Sequence, residues 1–449
     1  MNNGQVNRFE PFSITPLPQP WRPWPLAATT LPQQLPLLSP FSTARAPTLH
    51  LIKLPKMSST TPILSIRNAI SHGVADSCFV PAPAASSSSA AATAPEPFPL
   101  LVAVGDGVLS IHRSSTEIGV ASATPVCLAR AAVQGVSACA GLGANVVLGS
   151  IGGSLLCTAI TSDSTGALVL EEVWSSDAHA LAVNKVALQA SGESVASVGD
   201  DGAVVFADVA SGKVARAIRG AEQTPLLSCA WLDGGLLCTG SGNGGCQVKV
   251  WDPRASGTRP SLSFCFARDD SGSEVGTGSG SRGDGGGTRT GRALTVSAVA
   301  AHPTRAGVLA VGTEAGLTLF DSQLRPLSSQ AIGEGSAGGI TALAFNADDP
   351  RYLYCACPSP AVVPPPSALA AAALPLGAQA PAATVLRLDY MRSDGIISWD
   401  SPASLCSVVF EDITGMGVSS LSFARGSGEG ERGCLLYGCE SGELVLQQA

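Results

Sequence analysis

The chain has 449 residues, 45% of them hydrophobic and only 13% charged, with 50 glycines and 32 prolines. That apolar share can build a large core and excludes a wholly disordered chain, while the glycine and proline load favours turns and short strands over long helices. With 34 acids against 26 bases the formal net charge is −8, the wrong sign for a protein whose main partner is a nucleic-acid backbone.

The first 75 residues carry a single acid, Glu10, among several bases and many Ser, Thr and Pro. Either an organelle transit peptide or a low-complexity extension has this composition. Residues 27–97 lack a periodic apolar pattern and are expected to be low-complexity, with the folded body at 98–449. Residues 131–162 contain no charged side chain and are long enough to cross a bilayer. Gly135, Gly141, Gly143, Gly149, Gly152 and Gly153 interrupt them, so short strands joined by glycine turns are expected instead. Residues 268–292, dominated by Gly and Ser, and 358–383, dominated by Pro and Ala, are expected to be exposed loops without regular structure.

Setting those inserts aside exposes a repeat. Leu101–Gly105, Val146–Gly149, Val195–Gly199, Leu236–Gly240, Leu309–Gly312, Tyr352–Cys357 and Leu435–Gly438 are short apolar runs, six of them closing on glycine. They recur about every 40 to 50 residues, the period of a propeller blade. A tight Gly-bearing turn follows several of them, as in Gly199-Asp-Asp-Gly202, and then an alternating strand: Val204–Asp208, Val248–Asp252, Leu317–Asp321 or Leu386–Asp389. A third strand precedes several copies, as in Leu227–Trp231, Val296–Ala300, Ile340–Phe345 and Val418–Phe423. The expected fold is all-β: one seven-bladed propeller of antiparallel sheets.

Lys249-Val-Trp251-Asp252 resembles the signature of the WD-repeat β-propellers. Only this repeat has the Trp-Asp pair, and Ala178-His179 and Ala301-His302-Pro303 stand in for the family's Gly-His dipeptide. The resemblance implies structural signature roles for Gly199, Asp201, Gly202, Trp251, Asp252, Arg254 and Asp321, with no catalytic, cofactor or metal-binding residue. Within that family, Trp174 to Arg254 is similar in order and spacing to the small propeller nucleoporins of the Y-shaped outer-ring complex of the nuclear pore. Trp21-Arg22-Pro23 and Ala301-His302-Pro303 add to the likeness. It implies a non-enzymatic scaffold at the nuclear envelope that binds other nucleoporins and supports transport, without direct nucleic-acid contact, membrane insertion, cofactor or small-molecule ligand.

No enzymatic motif stands against this. Gly240-Ser-Gly242-Asn-Gly-Gly245 spells a dinucleotide fingerprint, but a strand follows where phosphate binding needs a helix N-terminus. Arg282-Gly283-Asp284 falls in the Gly/Ser insert and matches an adhesion tripeptide by chance. Asp200, Asp201 and Asp208 read as turn and strand-end residues rather than metal ligands. The 13 cysteines form no CxxC pair, and Cys355-Ala-Cys357 has no companion pair, so they read as small buried hydrophobes of a reducing compartment. A second functional reading rests on Trp251-Asp252-Pro253-Arg254, which fits the W-D-x-R pattern by which substrate receptors dock on a cullin ubiquitin-ligase adaptor.

Ring closure poses a last question, because the final unit runs through Val418–Phe423, Cys434–Gly438 and Glu443–Gln447 and leaves nothing for a fourth strand. Residues 1–26 are expected to supply it together with the first strand of blade one. Phe9–Ile14 is the candidate, antiparallel beside 443–447, with Leu49–Leu54 as the alternative.

Overall fold

Alternating apolar side chains, cut at short intervals by glycines in the left-handed region, give the described residues a regular structure that is almost all antiparallel strand. The computed structural model describes residues 64–66, 69–70, 73–80, 99–113, 126–163, 167–242, 247–268, 274–278, 294–332, 339–357, 383–390, 406–412, 417–425 and 433–448. All of them lie in the unit Lys56–Ala449; the other unit, Met1–Pro55, falls outside the described residues.

The short strand β1 (Leu64–Ile66) comes first. Blade 1 then takes β2 (Asp76–Val80), β3 (Leu100–Gly105), β4 (Val108–Arg113) and β5 (Val126–Ala132). Blade 2 takes β6 (Val136–Leu142), β7 (Asn145–Ser150), β8 (Ser154–Ser162) and β9 (Leu168–Asp177). Blade 3 takes β10 (Val183–Leu188), β11 (Ser194–Gly199), β12 (Val204–Asp208) and β13 (Val214–Ile218). Blade 4 has five strands: β14 (Leu226–Leu232), β15 (Leu236–Ser241), β16 (Val248–Trp251), β17 (Leu262–Arg268) and β18 (Glu274–Gly278). Blade 5 is β19 (Val296–Ala301), β20 (Leu309–Thr313), β21 (Gly316–Phe320) and β22 (Pro326–Ala331). Blade 6 is β23 (Ala342–Phe345), β24 (Tyr352–Cys357), β25 (Ala383–Asp389) and β26 (Cys406–Asp412). Blade 7 is β27 (Val418–Ala424), β28 (Cys434–Cys439) and β29 (Leu444–Gln448), completed by β1. The only helical turn among the described residues is Asp233–Gly235.

The innermost strands touch in cyclic order, β2 on β6 and onward to β27, which returns to β2, so the sheets form a closed ring. The core is divided in the same way. One apolar cluster fills each of the seven seams, as where Val102, Leu109 and Ile111 of blade 1 meet Val136 and Leu148 of blade 2. The expected seven-bladed all-β architecture is therefore the observed one, and the uncharged stretch 131–162 holds parts of four short strands.

Hydrogen bonds from the start of each innermost strand stitch the seams. Ser137 Oγ donates 2.7 Å to the Val183 carbonyl of the next blade. Asn184 Nδ2 donates 2.9 Å to Leu226, Thr341 Oγ1 2.7 Å to Val418, Ser297 Oγ to Ile340, and Ser419 Oγ to Val74 across the closing seam. Blades 1 and 4 have Ala75 and Leu227 at this position. There the following residue takes over: Asp76 Oδ2 accepts from Cys139 N at 3.1 Å, and Ser228 Oγ from Val299 N at 3.0 Å. Every seam thus carries a side-chain bridge to backbone, which satisfies polar groups that burial would otherwise leave unpaired.

Three expectations about boundaries need correction. The closing strand does come from the N-terminal side and does run antiparallel beside β29, but it is Leu64–Ile66, with Leu64 opposite Leu446 and Ile66 opposite Leu444. Phe9–Ile14, Trp21-Arg22-Pro23 and Leu49–Leu54 lie outside the described residues. The propeller consequently reaches into 27–97, since β1 and β2 both fall there. Three residues are too few to show a period, and β2 is buried along nearly its whole length, so it shows no alternation either. The Gly/Ser insert 268–292 contains a strand after all: β18 pairs with β17 from Phe264↔Gly278 to Arg268↔Glu274. Nearly all of the Pro/Ala insert 358–383 lies outside the described residues, except Ala383, which opens β25.

Candidate protein-docking site

Asp201 anchors the turn that leads out of β11. Its Oδ1 is 3.0 Å from His179 Nδ1 and accepts from Ala203 N, while Oδ2 accepts from Ala180 N at 2.9 Å. Partial burial pushes its pKa up, but the His179 ring and these amides outweigh burial and hold it below the ordinary carboxylate range. His179 Nε2 is in turn 2.8 Å from Ser197 Oγ, so His, Ser and Asp form one chain of bonds within blade 3. Gly199 and Gly202 make room for it. A Cβ at Gly199 would sit 2.4 Å from the Ala182 carbonyl, and Gly202 combines φ +64° with a carbonyl 2.1 Å from where its Cβ would be.

Blade 3 has Ala207 where blade 4 has Trp251 and blade 5 has Phe320. The volume is filled from the opposite side of the seam by Trp174 of β9, which packs with Ala207 and donates Nε1–H to the Val209 carbonyl at 2.7 Å. Blade 4 holds the complementary half of the network: Trp251, 1% exposed, donates to Thr239 Oγ1 at 2.9 Å. The blade-stabilising network is thus shared out between adjacent blades rather than complete in either. Asp252 and Asp321 do a different job, each capping the turn after its strand. Asp321 Oδ1 accepts from Gln323 N and Arg325 N, and Asp252 Oδ1 from Arg254 N at 2.9 Å.

His302 departs from its expected role. It lies in the turn between β19 and β20 rather than ahead of an innermost strand. There its Nδ1 accepts from Thr304 N and Arg305 N, and its ring packs against Phe345 and Tyr390. Sequence reading missed Trp174 and the seam-bridging hydroxyls. A recoverable signal existed for the latter, because Val136-Ser-Ala, Val296-Ser-Ala, Ile340-Thr-Ala and Val418-Ser-Ser share an apolar, hydroxyl, small order.

A cleft of about 410 Å³ opens between blades 3 and 4 beside Trp251-Asp252-Pro253-Arg254, lined by Phe206, Trp231, Pro253, Arg216, Arg254 and Ser194 among others. Its aromatic floor is fixed: Trp231 donates Nε1–H to the Ala187 carbonyl at 2.9 Å and packs on Phe206 with ring centroids 5.8 Å apart. Arg216 pins the opposite wall, donating Nη1–H to the Asp252 carbonyl at 2.7 Å and Nη2–H to that of Gly257. At the rim Arg254, its side chain 71% exposed, is held by Asp252 through Nε–H to Oδ1 at 2.9 Å. That pairing lowers the Asp252 pKa and raises that of Arg254.

Among the described residues no group of three His, Cys, Asp or Glu could hold a metal ion, and no helix is long and apolar enough to cross a membrane. Ten cysteines form no disulfide, Cys127 alone among them exposed, but Cys265 is disulfide-bonded, which corrects the reading of all the cysteines as reduced, buried hydrophobes. Burial pushes the Cys229 thiol up to about 12 and Cys157 to about 11, the opposite of what a nucleophile needs. The strand β16 follows Gly240 and Gly242, as the hairpin reading of that glycine run requires.

No family model matches the chain. It is 33% identical over 87 residues to WD repeat-containing protein 55 of Bos taurus and 34% identical over 87 residues to that of Pongo abelii, each alignment taking in 19% of this chain and 22% of the relative. The chain thus matches only about a fifth of the length of these curated relatives. Among solved structures, a chain of the crystal structure of the mitotic checkpoint complex superposes with a TM-score of 0.53 at 13% identity, over 92% of this chain and 99% of that one. The crystal structure of Chaetomium thermophilum Sqt1 bound to the N-terminus of the ribosomal protein L10 gives a TM-score of 0.48 at 17% identity, over 78% and 81%. At 13% identity the likeness to the checkpoint-complex chain is one of fold alone. None of these relatives points to the outer-ring nucleoporins in particular. Seven sheets in a closed ring make the chain a seven-bladed β-propeller, and the Trp251-Asp252 strand end together with the local identity over 87 residues makes that stretch similar to a WD-repeat protein.

Proposed function

We propose that the propeller is a non-enzymatic scaffold subunit of the outer ring of the nuclear pore, binding helical and propeller nucleoporins through its surface. The observation that carries the scaffold part is the disposition of polar chemistry. Asp201, His179, Ser137 and Asn184 are spent on turns and seams, whereas the blade 3–4 cleft leaves Arg254 exposed and Arg216 and Trp231 half-exposed. The nuclear-pore assignment is supported by the order of motifs between Trp174 and Arg254. A second reading, a substrate receptor of a cullin-type ligase, is favoured by Arg254, which Asp252 holds out from the rim beside Pro253.

Affinity purification of the tagged full chain separates the two. Co-purifying outer-ring nucleoporins and a punctate nuclear rim of a fluorescent fusion support the first. Recovery of the cullin adaptor, lost in Arg254→Ala, supports the second. Import into plastids or mitochondria with loss of the N-terminus refutes the nuclear-pore assignment.

A further inference from the structure

We propose that the cleft between blades 3 and 4 receives a short, extended, acidic segment of a partner protein, with one apolar side chain seated against Trp231, which Phe206 backs, and flanking carboxylates on Arg216 and Arg254. The proposal rests on the scaffold reading above and assigns the chemistry of one docking site.

Charge gives the sign of the occupant. In a chain of net charge −8, the only charged residues among those lining this cleft are two arginines. Arg216 donates to two backbone carbonyls out of the five N–H groups that a guanidinium carries, so its position is fixed while donors remain for an incoming carboxylate. Arg254 is held by Asp252 along one edge of its guanidinium, which leaves it oriented at the rim. Two pre-oriented guanidinium groups favour a carboxylate, which they can meet with paired hydrogen bonds.

The floor gives the shape. Trp231 is half-exposed and locked by the Ala187 bond and by the buried Phe206 behind it, so an apolar side chain can settle on it without the wall losing rotamer freedom. A volume of about 410 Å³ fits an anchor residue and the backbone on either side rather than a folded surface. Trp and Arg are also the residue types that dominate binding energy at protein interfaces. An extended segment with a single anchor satisfies all of these features.

The test is fluorescence anisotropy on the full-length protein with a short labelled peptide bearing one leucine flanked by glutamates. Two controls replace the glutamates by lysines or the leucine by serine, and a single-stranded oligonucleotide serves as a competing anion. The acidic leucine peptide should bind about tenfold or more tighter than either control and lose affinity with added salt. Arg254→Glu should weaken it about tenfold, and Ser256→Trp, which fills the cleft from its exposed loop, should abolish it. Both positions are outside the core, so an unchanged melting temperature shows that the fold is intact. Equal affinity for the lysine peptide, no binding of the acidic peptide, indifference to both variants, or tighter binding of the oligonucleotide would each overturn the proposal. The same variants in the affinity purification separate the two levels. Partners retained by Ser256→Trp remove the cleft but leave the scaffold, whereas a wild-type protein that recovers no partner removes the scaffold itself.

Discussion

Trp174 is the side chain on which the seam between blades 2 and 3 depends, and replacing it should show that directly. It is 9% exposed and packs with Ala207, Val195 and Val209, closing a volume that a small residue in blade 3 leaves empty. A tryptophan buries roughly 150–250 Å², worth about 4–6 kcal/mol at ~25 cal/mol per Å². Truncations of this kind cost about 3–5 kcal/mol. Trp174→Ala should therefore destabilise the ring by about 4 kcal/mol. Trp174→Phe keeps most of the packing but leaves the Val209 carbonyl unpaired, for a cost of about 1–3 kcal/mol. Ala207→Trp placed in the Trp174→Ala background should recover part of the loss, since both side chains enter one cluster. Urea titration followed by circular dichroism measures each, with the slope of the transition checked for constancy. If Trp174→Ala costs less than about 1 kcal/mol, or Phe and Ala cost the same, the compensation argument fails.

The other expectations concern protonation, seams and closure. His112 is buried in β4, and burial together with Arg130 lowers its pKa to about 4. Because the folded value lies below the unfolded ~6.5, stability is full above the unfolded value and declines as pH falls towards the folded one, by about 3 kcal/mol at ~1.4 per unit. Thermal melts between pH 7 and 4 should be flatter in His112→Gln, and an unchanged slope would assign the effect elsewhere. Ser137→Ala should cost about 1–2 kcal/mol by freeing the Val183 carbonyl in a buried seam, read from its melting curve. Gly202→Ala should cost more than about 1 kcal/mol, since it meets both a positive φ and the Glu222 carbonyl; a neutral substitution would show that the turn can relax. Removal of residues 1–72 takes away β1 with the buried Ile66 and Ile70, and should yield aggregated protein by light scattering.

What the sequence made legible, and what it hid, follows from how each element earns its pattern. Strands such as Val195–Gly199 and Leu309–Gly312 end on glycines where a Cβ would meet the Ala182 carbonyl or the Ile340 side chain, so the repeat of apolar run and closing glycine was visible in residue order alone. The Asp201 turn was legible for the same reason. By contrast β1 is three residues long and β2 is buried on both faces, so neither carries the alternation that marks a half-exposed strand. Trp174 escaped because its role is defined by Ala207, a residue whose significance is the absence of an aromatic ring, and the two belong to different blades. The cleft was legible only at its rim. Trp251 to Arg254 stood out as a motif, but Phe206, Arg216 and Trp231 come to it from three other strands.

The pairing of Leu64 with Leu446 means that the first described strand waits for the last. During synthesis β1 emerges early and must remain unpaired until β29 has left the ribosome, with nearly the entire chain made in between. Six blades can be zipped from local hairpins, but the seventh is a contact of very long loop length, so closure comes late and its entropy cost falls on three residue pairs. In that interval the outer edge of β29 and the apolar face of Ile66 are open. A cell that makes this protein therefore faces a transient species with a bare strand edge, and folding helpers that cover such edges will matter more for its yield than for the stability of the finished ring.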